Sequence, residues 1–216
     1  MSSLIDIERK CWVCGEMSEQ TGLASTNRFG SPDLDLRPPE MERSTMEWWL
    51  EECPHCGYVA NDLSEKTVIT KDWLKNNQYS SCDNRNFAST LVEKFYKYYL
   101  INMINNNRKS AFYAVLHAAW ACDDVEDVDN AMYCRKKALE ELSQFVVNND
   151  EKETLLLVRA DLLRRTRQFD LLVKEYEGQI FSEELLNKIA TFQVEKAKEQ
   201  DTACYTVADV KNFWIK

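Results

Sequence analysis

Glycine and proline are scarce, with only 5 and 4 among 216 residues. That scarcity excludes a low-complexity disordered chain and a turn-dense β-sandwich; with 44% hydrophobic and 29% charged residues it leaves an ordered, soluble, helix-rich protein. Long apolar runs are missing too. No window of about 18 uncharged apolar residues occurs, so no helix of this chain spans a bilayer. The amino end, MSSLIDIERK, lacks the charged start and apolar stretch of a secretory leader. The expectation is a cytoplasmic chain with no membrane partner and with its thiols kept reduced. Basic charge is in deficit: the net charge is −9, and it is unevenly spread. Residues 1–66 carry 13 Asp+Glu against 6 Lys+Arg (−7), whereas residues 67–216 carry 23 against 21 (−2). A surface of that sign repels phosphate backbones, which argues against nucleic acid and in favour of basic protein segments as partners.

Cysteine is plentiful, and its pattern is informative. Four of the 8 cysteines form two C-x-x-C pairs, in CWVCGE and CPHCGY; the other four, Cys82, Cys122, Cys134 and Cys204, are scattered. In a reduced compartment that distribution favours metal over disulfides. A C-x-x-C pair followed by glycine makes a tight knuckle, because Gly15 and Gly57 can take the positive φ the turn needs. Two knuckles supply four sulfurs in a tetrahedron, so Cys11, Cys14, Cys53 and Cys56 are the expected ligands of a structural Zn²⁺. Such a site has no open coordination position with which to activate water. Its role is to fold a segment too small to bury its own core. The same two knuckles resemble those of rubredoxin, which holds a redox iron, and four thiolates accept either ion. His55, inside the second knuckle, is a residue type that could replace a cysteine ligand, but it reads as a solvated turn residue.

The 38 residues between Cys14 and Cys53 exceed the spacer of about 15–20 residues usual in zinc modules, so an insertion must fold out of the ribbon. It runs from a turn at Gly30, Ser31 and Pro32 through an acidic stretch to Pro38 and Pro39, which exclude helix. TMEWWLEE then reads as the strand entering the second knuckle. In a strand Trp48 and Trp49 point to opposite faces, one under the metal and the other against the helical body. Asp33, Asp35, Arg37, Glu40 and Arg43 form a polar cluster with two readings, a solvated loop with internal ion pairs or a binding loop. No histidine or lone nucleophile accompanies the carboxylates, so no catalytic set is assembled there.

From residue 83 the apolar period is that of amphipathic helices. The segment NFASTLVEKFYKYYLINMI places Phe87, Leu91, Phe95 and Tyr98 or Tyr99 on one stripe. Further helices are predicted at 109–122, 126–147, 151–167, 169–178 and 182–199. An offset of 41 superimposes Ala119 on Ala160, Cys122 on Leu163, Val128 on Phe169 and Ala131 on Leu172, with Arg135 meeting Tyr176. ADLLRRTRQFDLLVKEYE resembles a tetratricopeptide helix pair, a likeness that implies a short stacked array with a peptide-holding concave side. His117, Cys122, Asp123, Asp124 and Cys134 are metal-ligand types, but their helical spacing puts the two thiols among core positions. The terminal Phe213, Trp214 and Ile215 are expected to dock on the helices.

The fold expected is therefore mainly α: a small N-terminal β zinc ribbon, residues 1–66, followed by a short tetratricopeptide-like α-solenoid, residues 67–216. The order CxxCG, acidic Pro-rich insertion, ECPHCGYVA and helical remainder is similar to a family of bacterial cytoplasmic proteins of unknown function. That resemblance implies the architecture and a bacterial cytosolic setting, and no activity. The function expected is a non-enzymatic scaffold that binds a protein or peptide partner, with Zn as its ion. A rubredoxin-like electron carrier with Fe is the alternative, and a nucleic-acid-binding ribbon is disfavoured by charge.

Overall fold

The computed structural model describes residues 2–214, and Ile215 lies outside them. The chain forms two compact units, Met1–Arg28 with Glu40–Glu141, and Phe29–Pro39 with Leu142–Lys216. These units do not follow the composition break at 66/67. The first helices belong with the ribbon, and part of the insertion belongs with the last helices.

Unit 1 begins with a hairpin of β1 (Ser3–Lys10) and β2 (Met17–Ser25), paired antiparallel from Lys10↔Met17 outward. A second, minimal pair joins β3 (Glu51–Glu52) to β4 (Val59–Ala60). Each C-x-x-C knuckle is the turn of one hairpin. Between them, TMEWW is not a strand: Arg43–Trp48 is a 3-10 turn. Buried Thr45 bends the backbone by giving its hydroxyl to the Glu42 carbonyl at 2.7 Å, and that hydroxyl accepts from Trp49 Nε1 at 2.9 Å. Residues three apart eclipse in a 3-10 turn, so Met46 and Trp49 share a face and the strand alternation of Trp48 and Trp49 does not arise.

Five helices follow: α1 (Lys71–Leu74), α2 (Asn77–Ser80), α3 (Thr90–Ile104), α4 (Arg108–Asp124) and α5 (Val128–Leu142). Side chains of Thr70, Asn76, Ser89 and Asn107 accept from the first-turn amides of α1 to α4, the N-cap chemistry their sequence positions call for. The α3 stripe is shifted from expectation. Ser89 starts the helix after Phe87, so Val92, Phe95, Tyr96, Tyr99 and Leu100 are buried and Leu91 is only half-buried. Helix α4 buries residues on every side, from Ala111 and Phe112 to Ala121 and Cys122; a helix apolar all round is a central one. Cys122 and Cys134 are fully buried, as small apolar core residues.

Unit 2 holds α6 (Asn149–Arg165), α7 (Phe169–Tyr176), α8 (Glu184–Lys198) and α9 (Val207–Phe213). Helix α9 opens on a complete capping box, with Thr206 and Asp209 exchanging bonds. Phe213 rests edge-on against buried Phe192 with ring centroids 5.3 Å apart.

One form of helix ending recurs through both units. Helices α4 and α6 both end in a left-handed residue, Glu126 and Arg167, and in the same long turn bond, Asp127 N to Cys122 O at 2.9 Å and Gln168 N to Leu163 O at 2.8 Å. Helices α3 and α8 end the same way, at Asn106 and Gln200. Ala119, Ala160, Cys122, Leu163, Ala131 and Leu172 are all buried, whereas Val128 is exposed. Buried Arg135, 41 residues before buried Tyr176, pairs with Asp123 from the preceding helix end.

Candidate metal centre

The four predicted sulfurs converge. Cys11, Cys14, Cys53 and Cys56 place their Sγ atoms within 4.8 Å of one another, with Cys11–Cys56 at 3.8 Å and Cys14–Cys53 at 3.6 Å. A tetrahedron with metal–sulfur bonds of about 2.3 Å has edges of about 3.8 Å. The cluster therefore fits a tetrahedral ion of the zinc or iron kind. Among the described residues this is the only such group; His117, Cys122, Asp123, Asp124 and Cys134 form no second one.

The local sequence explains the convergence. The two knuckles superimpose at an offset of 42 residues, from Cys11, Cys14 and Gly15 to Cys53, Cys56 and Gly57. In each, the first cysteine's carbonyl accepts from the glycine amide at 2.8 Å, and its own amide donates across the turn at 2.9 Å, to Glu16 O or Tyr58 O. Both glycines have positive φ, +79° and +72°, and a Cβ on either would meet open space. The requirement is conformational rather than steric. Gly57→Ala is expected to cost about 1–2 kcal/mol in urea unfolding of the metal-loaded protein, with Gly57→Asn costing less because Asn tolerates this region.

Burial pushes the Cys11 and Cys56 thiols up, and sharing protons with the other sulfurs adds to the effect. Burial also acts on Cys14, but the Glu16 amide and the neighbouring thiols outweigh it and hold Cys14 low. Without a cation, such a crowd of sulfurs cannot all ionise; a divalent ion removes that conflict. His55 stays outside the cluster, exposed, with Nε2 3.2 Å from the Met17 carbonyl.

A brace holds the two knuckles in register. Arg9 stands two residues before Cys11, and Glu51 two before Cys53. Arg9 Nε donates to both Glu51 carboxylate oxygens, at 2.8 and 3.1 Å. Buried Glu51 also accepts from the Leu63 amide at 2.9 Å, and Leu63 returns its carbonyl to the Trp12 amide at 2.8 Å. Nearby Asp62 is held below the usual carboxylate range, first by the Ser64 hydroxyl and also by the Ser64 amide and Arg9. From α2, buried Tyr79 donates its hydroxyl to the Gly57 carbonyl at 2.5 Å. The pair is readable as opposite charges at one offset from matching cysteines. Tyr79 carries no such signal.

The insertion's polar residues do not form one exposed cluster. Asp33, Asp35 and Arg37 are buried in unit 2. Leu34 N donates to Tyr205 O at 2.9 Å and Val207 N to Pro32 O at 3.0 Å, so SPDLDLRPP lies as a strand-like plug against residues 205–207. Asp35 meets Arg165 at 3.3 Å, and the Cys204 thiol lies 3.3 Å from Asp33. Glu40 and Arg43 belong to unit 1, where exposed Glu40 accepts from Ser44 at 2.6 Å. The solvated loop expected from sequence is replaced, at these three residues, by a buried polar joint.

A family model described as "Uncharacterized protein conserved in bacteria (DUF2225)" matches residues 4–204, and the chain belongs to that family. No curated protein and no solved structure matches it. No helix of the described residues is long and apolar enough to cross a membrane.

Proposed function

For this member of a bacterial family whose description carries no activity, we propose a non-catalytic protein-binding scaffold stapled by one zinc ion. The closure of Cys11, Cys14, Cys53 and Cys56 on one another carries the reading. Four protein sulfurs fill a tetrahedral ion's coordination sphere, so the metal shapes the ribbon and offers substrate no open position. Cys11 and Cys53 would hold it from the buried side, Cys14 and Cys56 from the half-exposed side. When bound, the ion supplies charge compensation and a cross-link between the hairpins. The partner class follows from charge: residues 1–66 at −7 attract basic protein segments, and the tetratricopeptide-like helix pairs would hold a peptide. The measurement is elemental analysis joined to affinity purification from the source cell. One zinc per chain in a colourless protein, with a salt-sensitive protein partner, is the expected result; a preparation that recovers nothing specific overturns the scaffold reading.

One observation favours the iron reading. Cys14 and Cys56 border a cleft of about 470 Å³ that Lys71 and Lys75 also line, an approach by which an electron donor could reach the sulfurs. An iron-loaded protein would be red and would bleach with dithionite.

A further inference from the structure

A second site lies in unit 1, away from the cysteines. Trp49, Phe95 and His117 meet edge to face, with centroid separations of 6.4, 5.1 and 5.4 Å and interplanar angles of 82°, 72° and 81° for the three pairs Trp49–Phe95, Trp49–His117 and Phe95–His117. They wall one side of a cavity of about 270 Å³ that Tyr98 and Tyr113 also line. Four of these five rings are only half-buried; Phe95 alone is fully covered. The half-buried rings leave apolar surface facing solvent in this half-open pocket, surface that a ligand ring would cover. Asn61 and Ser110 bring an amide and a hydroxyl to the same wall, the combination of apolar body and few polar groups that marks small-molecule sites.

We propose that this cavity binds a small, flat, uncharged heteroaromatic ring. Size sets the upper bound, because ligand pockets run from about 300 Å³ upward and this one fits one or two fused cycles. The electrostatics decide the charge. No carboxylate, ammonium or guanidinium among the described residues lines the cavity, so an ionic ligand would lose part of its hydration there without meeting a countercharge. A cation held by the ring faces is disfavoured further by Lys94, whose Nζ sits on the carbonyls of Glu47 and Leu50 at 3.3 and 3.1 Å, just behind the Leu50 wall. A neutral ring takes the next place in the edge-to-face cluster. Asn61, with an NH₂ that donates beside a carbonyl that accepts, reads a ring edge carrying both an acceptor and a donor.

The test uses the full-length, metal-loaded chain and three probes, adenine, indole and tetramethylammonium, followed by tryptophan fluorescence and by the indole signals in NMR. Adenine is expected to saturate with half-binding on the order of 0.1–1 mM, as its size allows, with indole weaker and tetramethylammonium inert. Asn61→Ala, at an exposed position, should weaken adenine about 5–10-fold and leave indole unchanged. Ala114→Met, which fills the cavity, and Ser110→Leu, which narrows it with less risk to the fold, should each abolish binding of both rings. Lack of saturation by either ring overturns the proposal. So does tetramethylammonium binding as well as adenine, or unaltered ring binding by a Ser110→Leu protein with native circular dichroism.

Discussion

Cys53→Ser is expected to leave the first unit without its ribbon and to lower bound metal from one ion per chain to none. Two things follow from the geometry. Structural zinc in small peptides contributes roughly 10–16 kcal/mol at neutral pH, as much as the whole stability of about 5–15 kcal/mol typical of a domain. The ribbon has little else to stand on: β3 and β4 are two residues each, and β1 and β2 expose Leu4, Ile5 and Met17. A lone hairpin of that kind is marginal in water. The loss should stay within one unit. Five of the six tryptophans, Trp12, Trp48, Trp49, Trp73 and Trp120, lie in unit 1 and Trp214 in unit 2. Tryptophan emission should therefore shift to the red while most of the helical circular dichroism persists, since all four ligands lie in the hairpin turns and none on a helix. Removing the metal from wild type with a chelator should produce the same spectrum. A serine variant that keeps wild-type emission and melting would mean that packing, not metal, holds the ribbon.

The ribbon was legible because its information is local. Cys11, Cys14 and Gly15 dictate a knuckle within five residues, and the same set recurs from Cys53 to Gly57. Helices α3 to α8 were legible for a similar reason, their apolar period being local; the short α1, α2 and α9 are too brief to show one. What failed depended on partners far along the chain. SPDLDLRPP reads as a solvated acidic loop until Arg165 arrives, 130 residues after Asp35, to pair with it. Charged residues are expected outside unless paired, and a single sequence does not show the pairing. TMEWWLEE failed in part and differently: Glu51 and Glu52 do form the strand entering the second knuckle, but upstream one hydroxyl, on Thr45, bonds back to the Glu42 carbonyl in a 3-10 turn. The aromatic cavity left no linear trace at all, since Trp49, Phe95 and His117 reach it from three separate elements.

Arg164→Met is expected to be the most damaging single change outside the cysteines, costing about 3–5 kcal/mol, the range for removing one partner of a buried ion pair. Arg164 is fully buried on α6, and each of its guanidinium nitrogens is used. Nε donates to Gln193 at 2.6 Å, Nη2 to Asp161 at 2.6 Å, and Nη1 to the carbonyls of Asp201 and Ala203 at 3.0 and 2.7 Å. Methionine fills the stem but makes none of these bonds, and it strands the Asp161 carboxylate, 2% exposed, against little more than a long contact from Gln193 at 3.4 Å. Lysine would fare little better, because an ammonium is a point donor and cannot span the planar fork. The damage should spread along one route. Freed of Arg164, residues 201–203 lose their anchor, and with them goes Tyr205, whose carbonyl holds the Leu34 amide. Amide exchange at Leu34 should therefore accelerate along with the fall in unit 2 melting temperature, although Leu34 is 130 residues from the substitution. If the stranded carboxylate is the cause, Asp161→Asn placed in the Arg164→Met background should recover part of the loss, and the double-mutant cycle should show coupling between the two positions. Additive effects, or a Leu34 amide that stays protected, would mean that this guanidinium is a passive filler and that the 29–39 segment is held by its other contacts.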